Sequence, residues 1–182
     1  MKMKILVVYY SHTGSNKYLA EKIARSIGCE IEAIKPRLNL LPFLMLFSLV
    51  KTGPGIKILS HKVNESDRII VCGPIWMGQL ISPLRDFISA HRKSINRLYF
   101  ASCCGSTDAA KYDKFGHAIV FDKVKNMLGD KCIHCEAFPI GLVLSAKEKE
   151  DGNAIMKARL SDSNFTGDIQ KRFEDFIQKV AE

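Results

Sequence analysis

The sequence has no apolar run approaching the about 20 residues a membrane-crossing helix needs; its longest near-continuous apolar stretch, residues 38–50, has 13. It opens without the basic, apolar and small-residue series of a secretion signal, because Met1-Lys2-Met3-Lys4 leads straight into an apolar run. Export is therefore not expected. Glycine and proline are scarce, 12 and 6 in 182 residues, which excludes collagen-like and low-complexity chains. No internal repeat is visible, and no tract reads as a linker between domains. The two best-known nucleotide loops are missing, since neither Gly-Lys-Ser/Thr after a glycine-rich turn nor G-x-G-x-x-G occurs. His12, His61, His91, His117 and His134 form no pair at metal-ligand spacing, so neither a metal site nor a catalytic histidine is expected.

What is present is the composition of one globular domain over 1–182, with 47% hydrophobic and 25% charged residues. Acid is in short supply: 19 Asp+Glu face 27 Lys+Arg, for a net charge of +8. The imbalance is local, because residues 1–66 hold ten cationic against four acidic side chains. It is densest from Lys35 to Asn64, where Lys35, Arg37, Lys51, Lys57 and Lys62 have no acidic neighbour. Such charge favours acidic partners in general. Nucleic acid is not expected among them, because no aromatic-basic reader motif accompanies the charge. Six cysteines without a secretion signal read as reduced thiols, and the expected compartment is the cytoplasm.

Hydrophobic periodicity alternates between two kinds. Ile5 to Tyr10, Cys29 to Ile34, Arg68 to Cys72, Leu98 to Ala101 and Cys132 to Phe138 read as strands, several without alternation, as in strands buried on both faces. Between them, Leu19, Ala20, Ile23, Ala24 and Ile27 recur at helical spacing before Gly28. Ile81, Leu84, Phe87 and Ile88 do the same, as do Ala118 to Leu128 and, near the end, Ile169, Phe173, Phe176 and Val180. Alternating strands and helices predict a parallel sheet with right-handed crossovers and a ligand crevice at the carboxyl ends of its strands.

Three loops fall at that crevice. After the first strand come Ser11, His12, Thr13, Gly14, Ser15 and Asn16. Their hydroxyls, their amide and the N–H groups of the helix start suit an anion such as phosphate, and they equally suit a capped turn. After the third strand come Gly73, Pro74, Ile75, Trp76, Met77, Gly78 and Gln79, where Trp76 either stacks on a planar ligand or covers the sheet end. After the fourth come Ser102, Cys103, Cys104, Gly105, Ser106 and Thr107, small and rich in backbone donors.

Three segments, VVYYSHTGSNKYLAEKIA, DRIIVCGPIWMGQLISPLRDFI and LYFASCCGS, resemble the flavodoxins and flavodoxin-like FMN proteins. The likeness is most specific at the S-x-T-G-x-[TN] loop, matched by Ser11, Thr13, Gly14 and Asn16. It implies a three-layer α/β sandwich around a five-stranded parallel sheet of order 2-1-3-4-5. FMN is the implied cofactor, its phosphate on residues 11–16 and its ring between residues 74–79 and 102–106. The resemblance also implies that the peptide joining Gly78 to Gln79 turns its carbonyl toward the ring on reduction, and that the protein is either an oxidoreductase or an electron carrier.

Residues 9–20, 69–85 and 98–107 contain no Asp or Glu, unlike the acidic electron-carrying members of that family. A less negative reduction potential is expected, which favours an enzyme serving a small or quinone-like acceptor; the donor, NAD(P)H or a redox protein, carries no motif. Residues 38–50 read first as a buried helix. The second reading is an exposed apolar surface, flanked by Lys35, Arg37, Lys51 and Lys57, for a membrane, a quinone or a second subunit in a homodimer. Cys132 and Cys135 are expected to point to opposite faces of a strand, at the rim opposite Cys103 and Cys104, and to be structural.

Overall fold

In the computed structural model, residues 3–182 are described. In chain order the elements are β1 (Ile5–Tyr9), α1 (Ser15–Ile27), β2 (Glu30–Ala33), α2 (Leu41–Leu49), β3 (Arg68–Cys72), β4 (Ile75–Trp76), β5 (Gln79–Leu80), α3 (Ser82–His91), β6 (Leu98–Cys104), α4 (His117–Leu128), β7 (Cys132–Pro139), α5 (Ala146–Lys149), α6 (Gly152–Lys157) and α7 (Asp168–Ala181). The main sheet is all parallel in the order β2-β1-β3-β6-β7. Numbered by its five strands alone, that is 2-1-3-4-5, the order expected.

Each face of the sheet carries its own core. Leu6, Val8, Val71, Leu98 and Phe100 pack with α3 and α4 through Leu84, Phe87, Val120 and Val124. Val7, Ile70, Tyr99 and Phe138 pack with α1 and α7 through Leu19, Ile23, Phe173 and Phe176. Side chains alternate between these cores along the central strands, which is why β3 and β6 are buried along their whole length. Gly28 ends α1 in the left-handed conformation at φ 69°, its N–H donating to the Ala24 carbonyl.

Four expectations are corrected. The fourth sheet strand does not stop at Ala101: Ser102, Cys103 and Cys104 extend β6 and pair with Ala137, Phe138 and Pro139 of β7. Proline is accommodated because β7 is an edge strand, where a missing N–H costs no ladder bond. Residues 75–80 are not an open loop but a two-strand hairpin, with Met77 (φ 50°) and Gly78 (φ 66°) both left-handed at its two-residue turn. Residues 41–49 do form a helix, yet only Leu44 and Ser48 of it are buried. Leu40, Phe43, Leu46, Leu49 and Val50 stand 45–56% exposed. Finally, the pairing of β6 with β7 slips between Leu98 and Tyr99, whose partners are Cys132 and His134, so Ile133 is an extra residue. That bulge turns Cys132 and Cys135 to the same side, where both pack beside the α3–α4 core.

Candidate functional site

A cavity of about 440 Å³ opens at the carboxyl ends of β1, β3 and β6. Its walls include His12, Thr13, Ser15 and Asn16 from the first loop, Pro74, Ile75, Trp76 and Met77 from the hairpin, and Cys103, Cys104 and Gly105 from the end of β6. Eleven of the nineteen residues of the three loops therefore meet in one place, across almost a hundred residues of chain.

The first loop is closed by the Ser11 Oγ, which accepts from the Gly14 N–H at 3.1 Å. Gly14 holds φ 101°, a conformation that L side chains rarely adopt, and it precedes an α1 N-terminus that no side chain caps. The N–H groups of the first α1 turn thus lack partners within the helix. Asn16 points elsewhere. Its Nδ2 donates to the Cys103 carbonyl at 3.0 Å and its Oδ1 accepts from the Cys103 N–H at 2.8 Å. Asn16 is therefore a clamp between α1 and β6. Ser15 is likewise buried, its Oγ accepting from the Leu160 N–H at 3.2 Å.

Trp76 is half-buried on the wall, met edge-on by Tyr10 at 6.4 Å and by His12 at 5.9 Å. The hairpin that carries it is braced from behind: Lys123 of α4 donates to the Gly78 carbonyl and to Gln79 Oε1, both at 2.8 Å. Burial lowers the Lys123 pKa, and a Cβ on Gly78 would meet the Lys114 carbonyl at 2.5 Å. Gly78 and Gln79 consequently face α4 and are not on the cavity wall. Ser102 is also off the wall, buried in β6 with its Oγ unpartnered among the described residues. Ser11 and Gly14 border a neighbouring hollow with Lys17, Lys35 and Lys57.

The end of β6 is held by a polar cluster. Ser106 Oγ and His117 Nδ1 are 2.9 Å apart, His117 Nε2 lies 3.9 Å from Asp108, and Arg172 of α7 grips Asp108 with two N–H groups at 2.6 and 3.2 Å. Arg172 also reaches Glu136 at 3.3 Å. Burial lowers the His117 pKa, and the Arg172 guanidinium lowers that of Asp108. The thiols of Cys103 and Cys104 are both pushed up by burial, so they line the cavity as neutral groups.

Sequence reasoning missed two parts of the wall. Leu41 and Met45 come from α2, and Ile140, Ile155, Met156, Ala158 and Arg159 come from the connection between β7 and α7. Arg159 is the one arginine on the wall, its Nη1 donating to the carbonyls of Met156 and Ala158 at 2.7 and 2.6 Å. No spacing marks it; the Leu160–Ser15 hydrogen bond brings it beside the start of α1. Among the described residues, no Asp or Glu lines the cavity.

No protein-family model matches the chain, and no curated protein matches it by sequence. Solved structures do match in shape. A flavoprotein from Lactobacillus acidophilus, solved in complex with FMN, is 18% identical over 75% of this chain and 93% of its own, with a TM-score of 0.61. An NADPH-quinone reductase from P. pentosaceus is 12% identical over 97% and 96%, with a TM-score of 0.53. A flavodoxin from Streptococcus pneumoniae is 15% identical over 97% of each chain, with a TM-score of 0.50. The chain has the flavodoxin-like fold.

Proposed function

On this flavodoxin-like scaffold, we propose that the chain binds FMN in the cavity and is an oxidoreductase. It would take a hydride or electrons from NAD(P)H or a redox protein and pass them to a small lipophilic acceptor of the quinone class. The observation that carries the reading is the convergence of three sequence-distant segments on one cavity that has an uncapped helix N-terminus, a tryptophan and no carboxylate.

The residues suit the cofactor's two ends. The first-turn N–H groups of α1, the hydroxyl of Thr13 and the guanidinium of Arg159 are donors for a phosphate dianion. Trp76, Met77, Pro74 and Ile75 provide apolar surface for a fused ring, and the neutral end of β6 provides backbone groups for its polar edge. FMN would supply the redox chemistry; the protein would bind it, orient it and set its potential. The acceptor side rests on α2. Leu41 and Met45 make part of the cavity wall, so the exposed apolar helix runs continuously into the site, a path suited to a lipophilic molecule. The likeness to an NADPH-quinone reductase supports the same acceptor class.

The test is reconstitution of the purified chain with FMN, followed by quenching of flavin fluorescence. Saturable one-to-one binding, weakened in Trp76→Ala, is expected. Anaerobic mixing with NADPH or NADH should then bleach the flavin absorbance, and a soluble quinone should restore it. A chain that stays colourless and never quenches FMN would sink the proposal, whereas binding without nicotinamide or quinone turnover would reduce it to an electron carrier.

A further inference from the structure

Far from the cavity, the amino-terminal end of β7 carries a second arrangement of reactive atoms. Cys132 and Cys135 Sγ are 3.5 Å apart. In an unbroken strand residues three apart point to opposite faces, so this proximity exists only because Ile133 is the extra residue of a bulge. Ile133 is 45% exposed, both cysteines are half-buried, and β7 is an edge strand, so small molecules can reach the pair. A disulfide needs the sulfurs at about 2.0 Å, and because Cys132 and Cys135 pair with Leu98 and Phe100, only two residues apart, their backbones stand about 6.6 Å apart at about 3.3 Å per residue, inside the range a disulfide bridges.

We propose that Cys132 and Cys135 form a reversible dithiol–disulfide site that exchanges with low-molecular-weight disulfides of the glutathione class, Cys132 attacking and Cys135 resolving. The Cys132 thiolate attacks one sulfur of the small disulfide, a mixed disulfide forms and the first small thiolate leaves. Cys135 then gives its proton to solvent, attacks Cys132 Sγ and displaces the second small thiolate. Two protein thiols are oxidised and one small disulfide is reduced to two thiols.

The division of roles follows from surroundings. The hydrogen bond shared with Cys135, with Lys125 of α4 nearby, holds the Cys132 thiol below its usual range, while the same bond and burial push Cys135 up. Cys132 is also the less buried of the two. The other four thiols are all pushed up by burial, Cys29 to about 11, so none competes as a nucleophile. Cys132 pairs with Leu98 and Phe138 with Cys103 at the cavity, five residues apart along β6; at about 3.3 Å per residue that is about 16 Å. The site therefore acts independently of whatever the cavity holds.

The reduced full-length chain is incubated with oxidised and reduced glutathione at graded ratios, quenched by acid, alkylated in denaturant so that the buried thiols also react, and read by intact mass and peptide mapping. The expected product has lost two hydrogens, links Cys132 to Cys135 and keeps the other four thiols alkylatable. Cys135→Ser should accumulate a lasting glutathione adduct on Cys132, and Cys132→Ser should lose both adduct and linkage. Wild-type protein that stays fully alkylatable at every ratio would overturn the proposal without recourse to variants. So would a linkage through another cysteine, or an adduct on Cys135 that forms as fast in Cys132→Ser as on Cys132 in Cys135→Ser. None of these readings depends on flavin, so failure here leaves the FMN proposal standing.

Discussion

Asn16 shows how far a residue's chemistry can be read without its partner. The sequence marks it as a polar residue at a helix start beside a ligand loop, and the structure spends both halves of its amide on the Cys103 backbone. No local pattern announces a contact across 87 residues of sequence. Arg159 is the converse, an unremarked cation that chain folding carries to the cavity wall. The two should separate on mutation. Asn16→Ala leaves a buried N–H and carbonyl without partners, which costs about 1–3 kcal/mol, so the melting temperature should fall with or without FMN. Arg159→Met should leave the unliganded melting temperature nearly unchanged. A charge-assisted hydrogen bond is worth about 1.5–3 kcal/mol, so this variant should weaken FMN binding by about ten- to a hundredfold. Equal loss of FMN affinity and stability in both variants would refute the division.

Among elements, the sheet strands and the four long helices were legible because burial on one or both faces imposes a period on the sequence. α2 was legible as a helix but not in its burial, since a nearly all-apolar segment has no polar face to reveal which side meets the core. What anchors it is polar: Ser48 Oγ accepts from the Ser82 N–H at 2.9 Å, and Arg85 of α3 donates to the Phe47 carbonyl at 3.1 Å. Its exposed face is flanked in sequence by exposed Lys35, Arg37, Lys51 and Lys57, with no acid among residues 35–64, and an anionic bilayer surface is the expected occupant to test. Each such cation is worth about 1 kcal/mol near an anionic leaflet. The full chain should float with phosphatidylglycerol-containing vesicles, stay behind with pure phosphatidylcholine, and lose binding in Phe43→Ser/Leu46→Ser without change in melting temperature. No association with anionic vesicles at low salt, or exposed faces paired in a dimer, would rule this occupant out. The bulge in β7 was invisible for a different reason, because a single inserted residue in a short strand leaves the apolar pattern almost unchanged.

The cluster behind β6 gives that element a pH dependence. The Asp108 pKa is depressed from 3.8, so its contribution is present above that value and lost as pH falls through the lower folded-state pKa. The His117 pKa is depressed from 6.5 by burial, so below about pH 6.5 the unfolded chain takes up a proton that the folded chain resists, and stability falls. His91, also lowered by burial, acts in the same direction, while His61, raised by its hydrogen bond to Glu32, acts in the opposite one. Comparison of variants isolates the effect. His117→Gln should melt lower than wild type at pH 8 but lose less on going to pH 5.5. Parallel melting curves over that interval would show that His117 does not contribute.

Over the whole molecule, charge bears on the potential that the proposed flavin would have. The chain carries a net +8, and the absence of Asp and Glu in the three loops survives folding, since the other segments reaching the cavity bring an arginine and no carboxylate. Reduced flavin is anionic, and a carboxylate a few Å away disfavours it by about 1 to 4 kcal/mol across the dielectric range from water to a protein surface. For a two-electron couple this corresponds to about 20–90 mV. Here that penalty is missing and Arg159 contributes in the opposite sense, so the two-electron potential should be less negative than that of an acidic flavodoxin, as suits delivery to an acceptor. Met156, on the wall and 78% exposed, offers the cleanest perturbation. Because solvent screens so exposed a charge, Met156→Glu should lower the potential by only about 20 mV, and high salt should erase most of the shift. Anaerobic dithionite titration against a reference dye measures both. A wild-type potential as low as an acidic flavodoxin's, or a Met156→Glu shift that high salt leaves intact, would mean that hydrogen bonding to the ring, and not the missing carboxylates, sets the potential.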